Sequence, residues 1–410
     1  MDSANQRMMW QNLAASLHAD KTMLLVSGPR QCGKTTLAKA IGTGYANCDG
    51  VNWDIAAQRS RVLGNPNFFT TMRRRDRSTP LVLLDEIHKY RDWKNYLKGL
   101  ADEHGAAYRF LVTGSGRLDL CQPGGDSLAG RYLSFQLWPF TLAELAGRRR
   151  DFAQWAADPL AVELGDLPSL RQIWASLLRF SGFPEPLMAA RDTFYRRWSL
   201  AYRKTLVGED IRDAAAIRRV AEVETLFALL PERVGSPLSL PALSTALRVA
   251  YTSVQAWLDL YERFYLTVTV PAWAGDLARA VVKERKAYLM DFGTVTSAPA
   301  RLENAVAVEL ARAASAWTAW GHGEFSLHFV RTKDGAEVDF LLARDRKPFL
   351  LVEVKTGDES PSGPMLAIQR KLRVPAVQLV DGMDRFAVFQ NDFGGVVVAP
   401  ACAWLALLPG

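Results

Sequence analysis

The chain has 410 residues, more than one hydrophobic core organises, which sets an expectation of two or three domains. Hydrophobic residues make up 49% and charged residues 23%, a globular balance that excludes disorder of the whole chain. A net charge of +7 permits a nucleic-acid partner without demanding one, and four cysteines with no CxxC pair exclude a zinc ribbon or a disulfide framework.

The opening MDSANQRMMWQNL has an early Asp and no apolar run, so it does not read as a secretory signal. The longest apolar stretch, GGVVVAPACAWLALLPG, is too short to span a bilayer and is broken by Pro400. A cytoplasmic protein without a membrane segment is expected. The basic runs RRRDR (73–77) and GRRR (147–150) stand equally well for nucleic-acid contacts or for solvated faces.

In chain order, residues 1–145 alternate apolar strands with amphipathic segments, an α/β pattern with strands expected at 22–27, 51–54, 81–85, 109–113 and 131–137. Residues 150–265 carry the helical period almost throughout. Strands return in FYLTVTV, AYLMD, EVDFLL, FLLVEV, AVQLV and GVVVA, with a helix over 300–317. This order predicts three modules: 1–148, 149–285 and 286–410.

GPRQCGKTT (28–36) follows an apolar strand and precedes a helical run, the context in which GxxxxGK[ST] binds a nucleotide phosphate. Gly28 and Gly33 let the backbone wrap an anion, and the N–H groups of Pro29–Thr36 other than the proline (Arg30, Gln31, Cys32, Gly33 and on) face it at a helix N-terminus. Lys34 reaches the β- and γ-phosphates of ATP, the Thr35 hydroxyl ligates Mg²⁺, and Thr36 supports the α-phosphate. LVLLDEIHK (81–89) is an apolar strand ending in two acids: Asp85 to hold Mg²⁺ through water, Glu86 to polarise the attacking water. The next strand ends in TGS, where Thr113 or Ser115 is a candidate γ-phosphate sensor or a plain polar turn. Arg131 is a candidate arginine for phosphate, in cis or from a neighbouring subunit, or a surface arginine.

The phrases GPRQCGKTTLAK, LVLLDEIHK followed by Trp93, and LVTGS with SLAGR resemble the prokaryotic AAA-type ATPases that carry a C-terminal nuclease-like domain. Cys32 stands where Val is usual in that family, at a position that contributes backbone. In GEDIRD (208–213) Glu209 stands where Arg is common, which removes the basis for phosphate sensing there. The resemblance implies an AAA-type parallel-sheet domain, a helical, winged-helix middle region and a C-terminal α+β domain of the restriction-endonuclease type.

In the middle region, residues 238–270 read as helix, turn, helix and strand, with Leu243, Leu247, Val254, Leu258 and Tyr261 on the apolar side. The second helix would expose Thr252, Ser253 and Gln255, either toward DNA or as part of a spacer. Farther on, AEVDFLL (336–342) and FLLVEV (349–354) form a hairpin if the turn is centred near Arg346, which places Asp339 opposite Glu353. Opposed carboxylates repel unless a cation stands between them. Asp followed by Glu-x-Lys matches the PD-(D/E)XK nuclease pattern. The resemblance then implies Mg²⁺ on Asp339 and Glu353, an added acid from Glu303, and Lys355 acting on the attacking water.

Three functions are compatible with these residues. The first is ATP hydrolysis coupled to a nuclease-like domain that acts on or binds DNA. The second is a regulatory ATPase switch whose C-terminal module only binds nucleic acid or a protein. The third is a ring-forming DNA-remodelling motor, which makes a homo-oligomer an expected partner.

Overall fold

The computed structural model describes residue 13 and residues 23–116, 130–211, 219–275 and 284–409. It divides into two compact units, Met1–Pro139 and Phe140–Gly410. In the first, β1 (Met23–Gly28), β2 (Cys48–Asn52), β3 (Leu81–Asp85), β4 (Arg109–Ser115) and β5 (Tyr132–Gln136) form a parallel sheet in the order β2-β3-β4-β1-β5. The strands at its centre are apolar runs rather than alternating ones, because helices cover both faces. Every residue of β1 is buried. Helices α1 (Lys34–Thr43), α2 (Ala56–Gly64) and α3 (Trp93–His104) supply the crossovers. Phe69 packs edge-on against Phe68, Tyr108 and Phe110 at the centre of one apolar cluster, with Trp93 and Leu97 of α3 in the same cluster.

All five expected strands are present, with one informative shift. The strand expected at 51–54 runs Cys48–Asn52 and stops there. The Asn52 side-chain oxygen accepts the Asp54 N–H at 2.8 Å, a local turn that competes with the ladder.

The second unit begins with helices, as the period of its sequence requires. In α4 (Leu167–Phe180) the buried residues Leu167, Leu170, Trp174, Leu177 and Phe180 recur at three and four. In α5 (Asp192–Thr205) they are Tyr195, Trp198, Ser199 and Tyr202. The Leu206–Ile211 segment that follows is a π turn, and the rest of GEDIRD, 212–213, lies outside the described residues. After α6 (Val220–Leu229), α7 (Leu240–Leu247) ends at Arg248 with left-handed backbone (φ 52) and α8 (Tyr251–Arg263) starts three residues later. β6 (Thr267–Pro271) then pairs antiparallel with β7 (Arg285–Leu289). Buried Asp291, just past β7, accepts the Tyr195 and Ser199 hydroxyls at 2.7 and 2.6 Å and ties α5 to this strand.

The long helix α9 (Ala298–Ala319) leads into a mixed six-stranded sheet: β8 (Phe325–Arg331), β9 (Glu337–Arg344), β10 (Lys347–Lys355), β11 (Ala376–Val380), β12 (Ala387–Phe389) and β13 (Val396–Pro400), ordered β12-β13-β11-β10-β9-β8. Helix α10 (Gly363–Leu372) makes the parallel crossover from β10 to β11, and α11 (Ala401–Leu405) closes the core, its Trp404 indole donating to Pro159 O at 2.9 Å. β8 and β12 were not among the expected strands. The turn of the β9–β10 hairpin is tighter than the expected 343–348. It consists of Asp345 and Arg346, both left-handed (φ 51 and 62), the backbone a two-residue hairpin requires. No helix among the described residues is long and apolar enough to cross a membrane.

Candidate functional site

The C-terminal edge of the first sheet gathers the expected phosphate-binding residues. β1 ends at Gly28, where an added Cβ would lie 2.1 Å from the Leu137 carbonyl oxygen, so only glycine lets the loop start under that chain. The loop runs through Gln31 (φ 60) and buried Cys32, whose thiol donates to Leu137 O at 3.3 Å, to Gly33 (φ 100). α1 begins at Lys34 with no acid in its first turn, which leaves its N–H groups and dipole to an anion. Lys34 is 5% exposed, and its ammonium donates to Gly28 O at 3.1 Å and Pro29 O at 2.7 Å. Neutral carbonyls hold a cation less strongly than phosphate oxygens do, so an entering phosphate has the advantage. Thr36 is exposed on the first turn of α1.

Sheet register then lines up Asn52, Asp85 and Thr113 on three adjacent strands. The Asp85 carboxylate is 7% exposed and takes three donors: Thr35 Oγ1 and Asn52 Nδ2, each at 2.7 Å, on Oδ2, and the Thr113 hydroxyl on Oδ1. Ser115, paired with Gly28 in the β1–β4 ladder, donates to Glu86 Oε1 at 2.8 Å. Glu86 has left-handed backbone (φ 56), a strained turn of the kind that concentrates at functional sites. Its Oε2 faces Lys89 at 3.4 Å and His88 at 3.8 Å, and Lys89 is held in turn by Asp54 at 2.6 Å. Burial works against ionising Glu86, but the positive charge of His88, Lys34 and Lys89 and the Ser115 hydroxyl more than offset it and hold the carboxyl below its usual range. His88 is itself driven down to about 4 by burial, so at neutral pH the two lysines carry that effect.

Thr35 and Asp85 present hard oxygen atoms beside the phosphate loop, the donor set Mg²⁺ takes together with phosphate and water, so these residues fit that ion. Arg131 is elsewhere. Tyr132, its neighbour, pairs with Met23 at the start of β1, whereas the loop follows the end of that strand, about 16 Å away at the strand rise. The Arg131 guanidinium is bound to Asp102 at 2.7 Å. Of its two candidate roles on phosphate, the one in cis does not fit this placement.

The C-terminal acids also come together, in an arrangement the sequence only half foretold. The β9–β10 register shifts by a bulge between Pro348 and Leu350, after which Val352 faces Phe340 and the next pair in line is Glu353 and Asp339. The Asp339 N–H lies 3.4 Å from Glu353 Oε2, and Asp339 Oδ2 accepts the Val354 N–H at 2.8 Å. Glu353 is 3% exposed, and its Oε1 is taken by Lys355 at 2.6 Å and by the Ser362 hydroxyl at 3.4 Å. Glu303 of α9 reaches the same cluster but accepts from Tyr288 OH at 2.7 Å and Lys286 at 3.3 Å. Burial raises the Asp339 carboxyl well above its usual value, helped by the charges of Glu303 and Glu353.

These acids do not fit a ready-made Mg²⁺ site. Glu303, Glu337 and Glu353 are each paired with a lysine of the chain, and among the described residues no group of three or more His, Cys, Asp or Glu is arranged to hold a metal.

Comparison with known families bears on the domain that carries the first of these two sites. Residues 20–146 match the model of an AAA domain. They form an AAA-type ATPase domain. The remainder matches two models described as domains of unknown function, DUF8612 over 171–304 and DUF4143 over 300–401. Among curated proteins, the uncharacterized proteins Mb2031c of Mycobacterium bovis and Rv2008c of Mycobacterium tuberculosis are each 25% identical over 95% of this chain and 82% of their own length. Among solved structures, the Walker-type ATPase PABY2304 of Pyrococcus abyssi is similar at a TM-score of 0.42 with 13% identity, over 74% of this chain and 95% of that one. AMPPCP-bound DnaA from Aquifex aeolicus is similar at 0.32 with 11% identity, over 62% and 86%.

In the ATPase domain the sequence analysis missed Asn52 and the Asp54–Lys89 pair. VNWD read as a strand, and nothing in the sequence says that β2 lies beside β3. It also missed Lys286 and Tyr288 in the second unit, because AYLMD read as an ordinary buried strand and Lys286 lies just before it.

Proposed function

We propose that this protein hydrolyses ATP with Mg²⁺ in its AAA-type domain and couples that cycle to a C-terminal, restriction-endonuclease-like module that engages DNA. The convergence of Thr35, Asn52 and Thr113 on Asp85 carries the ATPase half. Lys34 leaves the Gly28 and Pro29 carbonyls for the β- and γ-phosphates. Thr35 and Asp85 would hold Mg²⁺, which would supply positive charge to the phosphates. Glu86, kept ionised by Lys34 and Lys89, orients the attacking water, and Ser115 senses the γ-phosphate through its bond to Glu86.

The division into an ATPase module (1–148), a winged-helix-like helical module (149–285) and a nuclease-like module (286–410) belongs to the same proposal. Its support for DNA is a pocket of about 450 Å³ where α7 turns into α8, lined by Val249 and Ala250 and by the donors Arg219, Ser244, Thr245, Arg248 and Ser253, which suit backbone phosphates. The test is ATP turnover with and without single-stranded, double-stranded and branched DNA, together with direct DNA binding. Binding with a several-fold change in turnover is expected. Absence of binding on every DNA would sink the DNA half and move the assignment to a switch that acts on a protein. That second reading is favoured by one observation: the acids of the C-terminal cluster are already satisfied by the chain itself.

A further inference from the structure

Lys286 is 1% exposed, although a lysine is almost never fully buried unless paired. It is paired with Glu337 Oε1 at 2.7 Å and Glu303 Oε1 at 3.3 Å, and its ammonium lies 5.3 Å from the centre of the Phe329 ring. These partners come from three elements, α9, β8 and β9, and Lys286 from a fourth, β7. Burial would strip its proton; the charge of Glu303 and the bond to Glu337 reverse that and keep it charged. The backbone closes the remaining side of Glu303: a Cβ added at Gly235 would lie 2.7 Å from Glu303 Oε2, and Gly235 has φ +82. Lys355 neutralises Glu353 at the mouth, and Arg331 Nε approaches Glu337 Oε2 at 3.7 Å. Four carboxylates, Glu303, Glu337, Asp339 and Glu353, thus face three cations of the same chain.

We propose that Lys286 is the resident cation of this cluster, standing in for the divalent metal that such a set of acids would otherwise bind. The module then engages its partner without metal-dependent cutting. A divalent ion entering beside Lys286 meets a buried positive charge, and finds Glu303, Glu337 and Glu353 already paired with lysines. This inference rests on the reading of the C-terminal module as nuclease-like, and it goes beyond that reading by removing the metal from it.

The test is a Mn²⁺ titration followed by electron paramagnetic resonance on the full chain carrying Asp85→Asn, which silences the cation site of the ATPase domain. With Lys286 present, no bound Mn²⁺ that Asp339→Asn abolishes is expected. In Lys286→Met, Mn²⁺ affinity rises by roughly tenfold or more, and Asp339→Asn removes the gain. Mn²⁺ bound to the parent chain and lost with Asp339→Asn overturns the proposal. So does a folded Lys286→Met chain that gains no Mn²⁺. Should Lys286→Met fail to fold, the triple change with Glu303→Gln and Glu337→Gln restores folding if the lysine is a counter-ion, and leaves it unfolded if the lysine acts only by its shape. The DNA-binding assay reads the underlying proposal separately, since it succeeds or fails whatever the Mn²⁺ result.

Discussion

Asp85 and Asp339 both lie in strands of a mainly apolar sheet; Asp85 accepts from three side chains and Asp339 from the Val354 N–H. They differ in what answers their charge. Around Asp85 the donors are two hydroxyls and an amide, all neutral, and the nearby Lys34 is held only by main-chain carbonyls. Around Asp339 the neighbouring acids are bound to lysines, one of them wholly buried. A hydroxyl or amide bonding a carboxylate is already charge-assisted, and a full opposite charge adds Coulombic attraction that a neutral donor lacks. The first arrangement gives way to an incoming phosphate and cation, and the second has little to gain from them. A site built for a ligand that comes and goes keeps its strong interactions unspent.

Four substitutions probe that contrast. Lys34→Ala has the largest expected effect: ATP turnover falls by roughly 100-fold or more as the phosphate charge loses its partner. Full turnover in a steady-state phosphate-release assay would show that the loop is not the nucleotide site. Glu86→Gln is expected to bind ATP normally while hydrolysis slows by about 100-fold, the scale of a lost general base. Unchanged single-turnover rates would take Glu86 out of the reaction. Asn52→Ala leaves Asp85 with one donor fewer and is expected to raise the Mg²⁺ concentration for half-maximal turnover by roughly tenfold. An unaltered Mg²⁺ dependence would reduce Asn52 to a turn former.

The smallest effect comes from a third carboxylate with only a distant cation. Glu309 accepts the Leu142 N–H at 2.9 Å, has Arg312 at 3.9 Å, and is pushed by burial to about 7. A carboxyl raised in the folded state binds more protons folded than unfolded. Its stabilising contribution is therefore complete below its unfolded value of 4.5 and is lost as pH rises through about 7. Glu309→Gln should flatten that decline, worth up to about 3 kcal/mol, in thermal unfolding measured between pH 5 and 8. A slope unchanged by the substitution would assign the pH dependence to other groups.

The phosphate loop, Asp85, Glu86 and the strands that carry them were legible in the sequence because each depends on local spacing. A glycine-rich turn, an apolar run and the acids at its end are all read within ten residues. The hairpin register of Asp339 and Glu353 was legible for the same reason, although the bulge near Pro348 was needed to deliver it. Asn52 and Lys286 were not legible. Each matters through a strand that is distant in sequence and adjacent in space, β3 for one and β9 for the other. β8 was missed although Phe325, Leu327 and Phe329 alternate as a strand should; β12, with three residues, is too short to show a period.

The burial of α11 bears on how the chain is made. Trp404 bonds to Pro159 across 245 residues, and β13, just before it, completes the second sheet beside β11. At about 5–20 residues per second, the ribosome needs tens of seconds to pass from the first of these partners to the second. The ATPase sheet is complete by residue 136 and has its partners throughout that interval. The second unit spends it with its core open to water, a long-range closure that folds slowly and exposes apolar strands meanwhile.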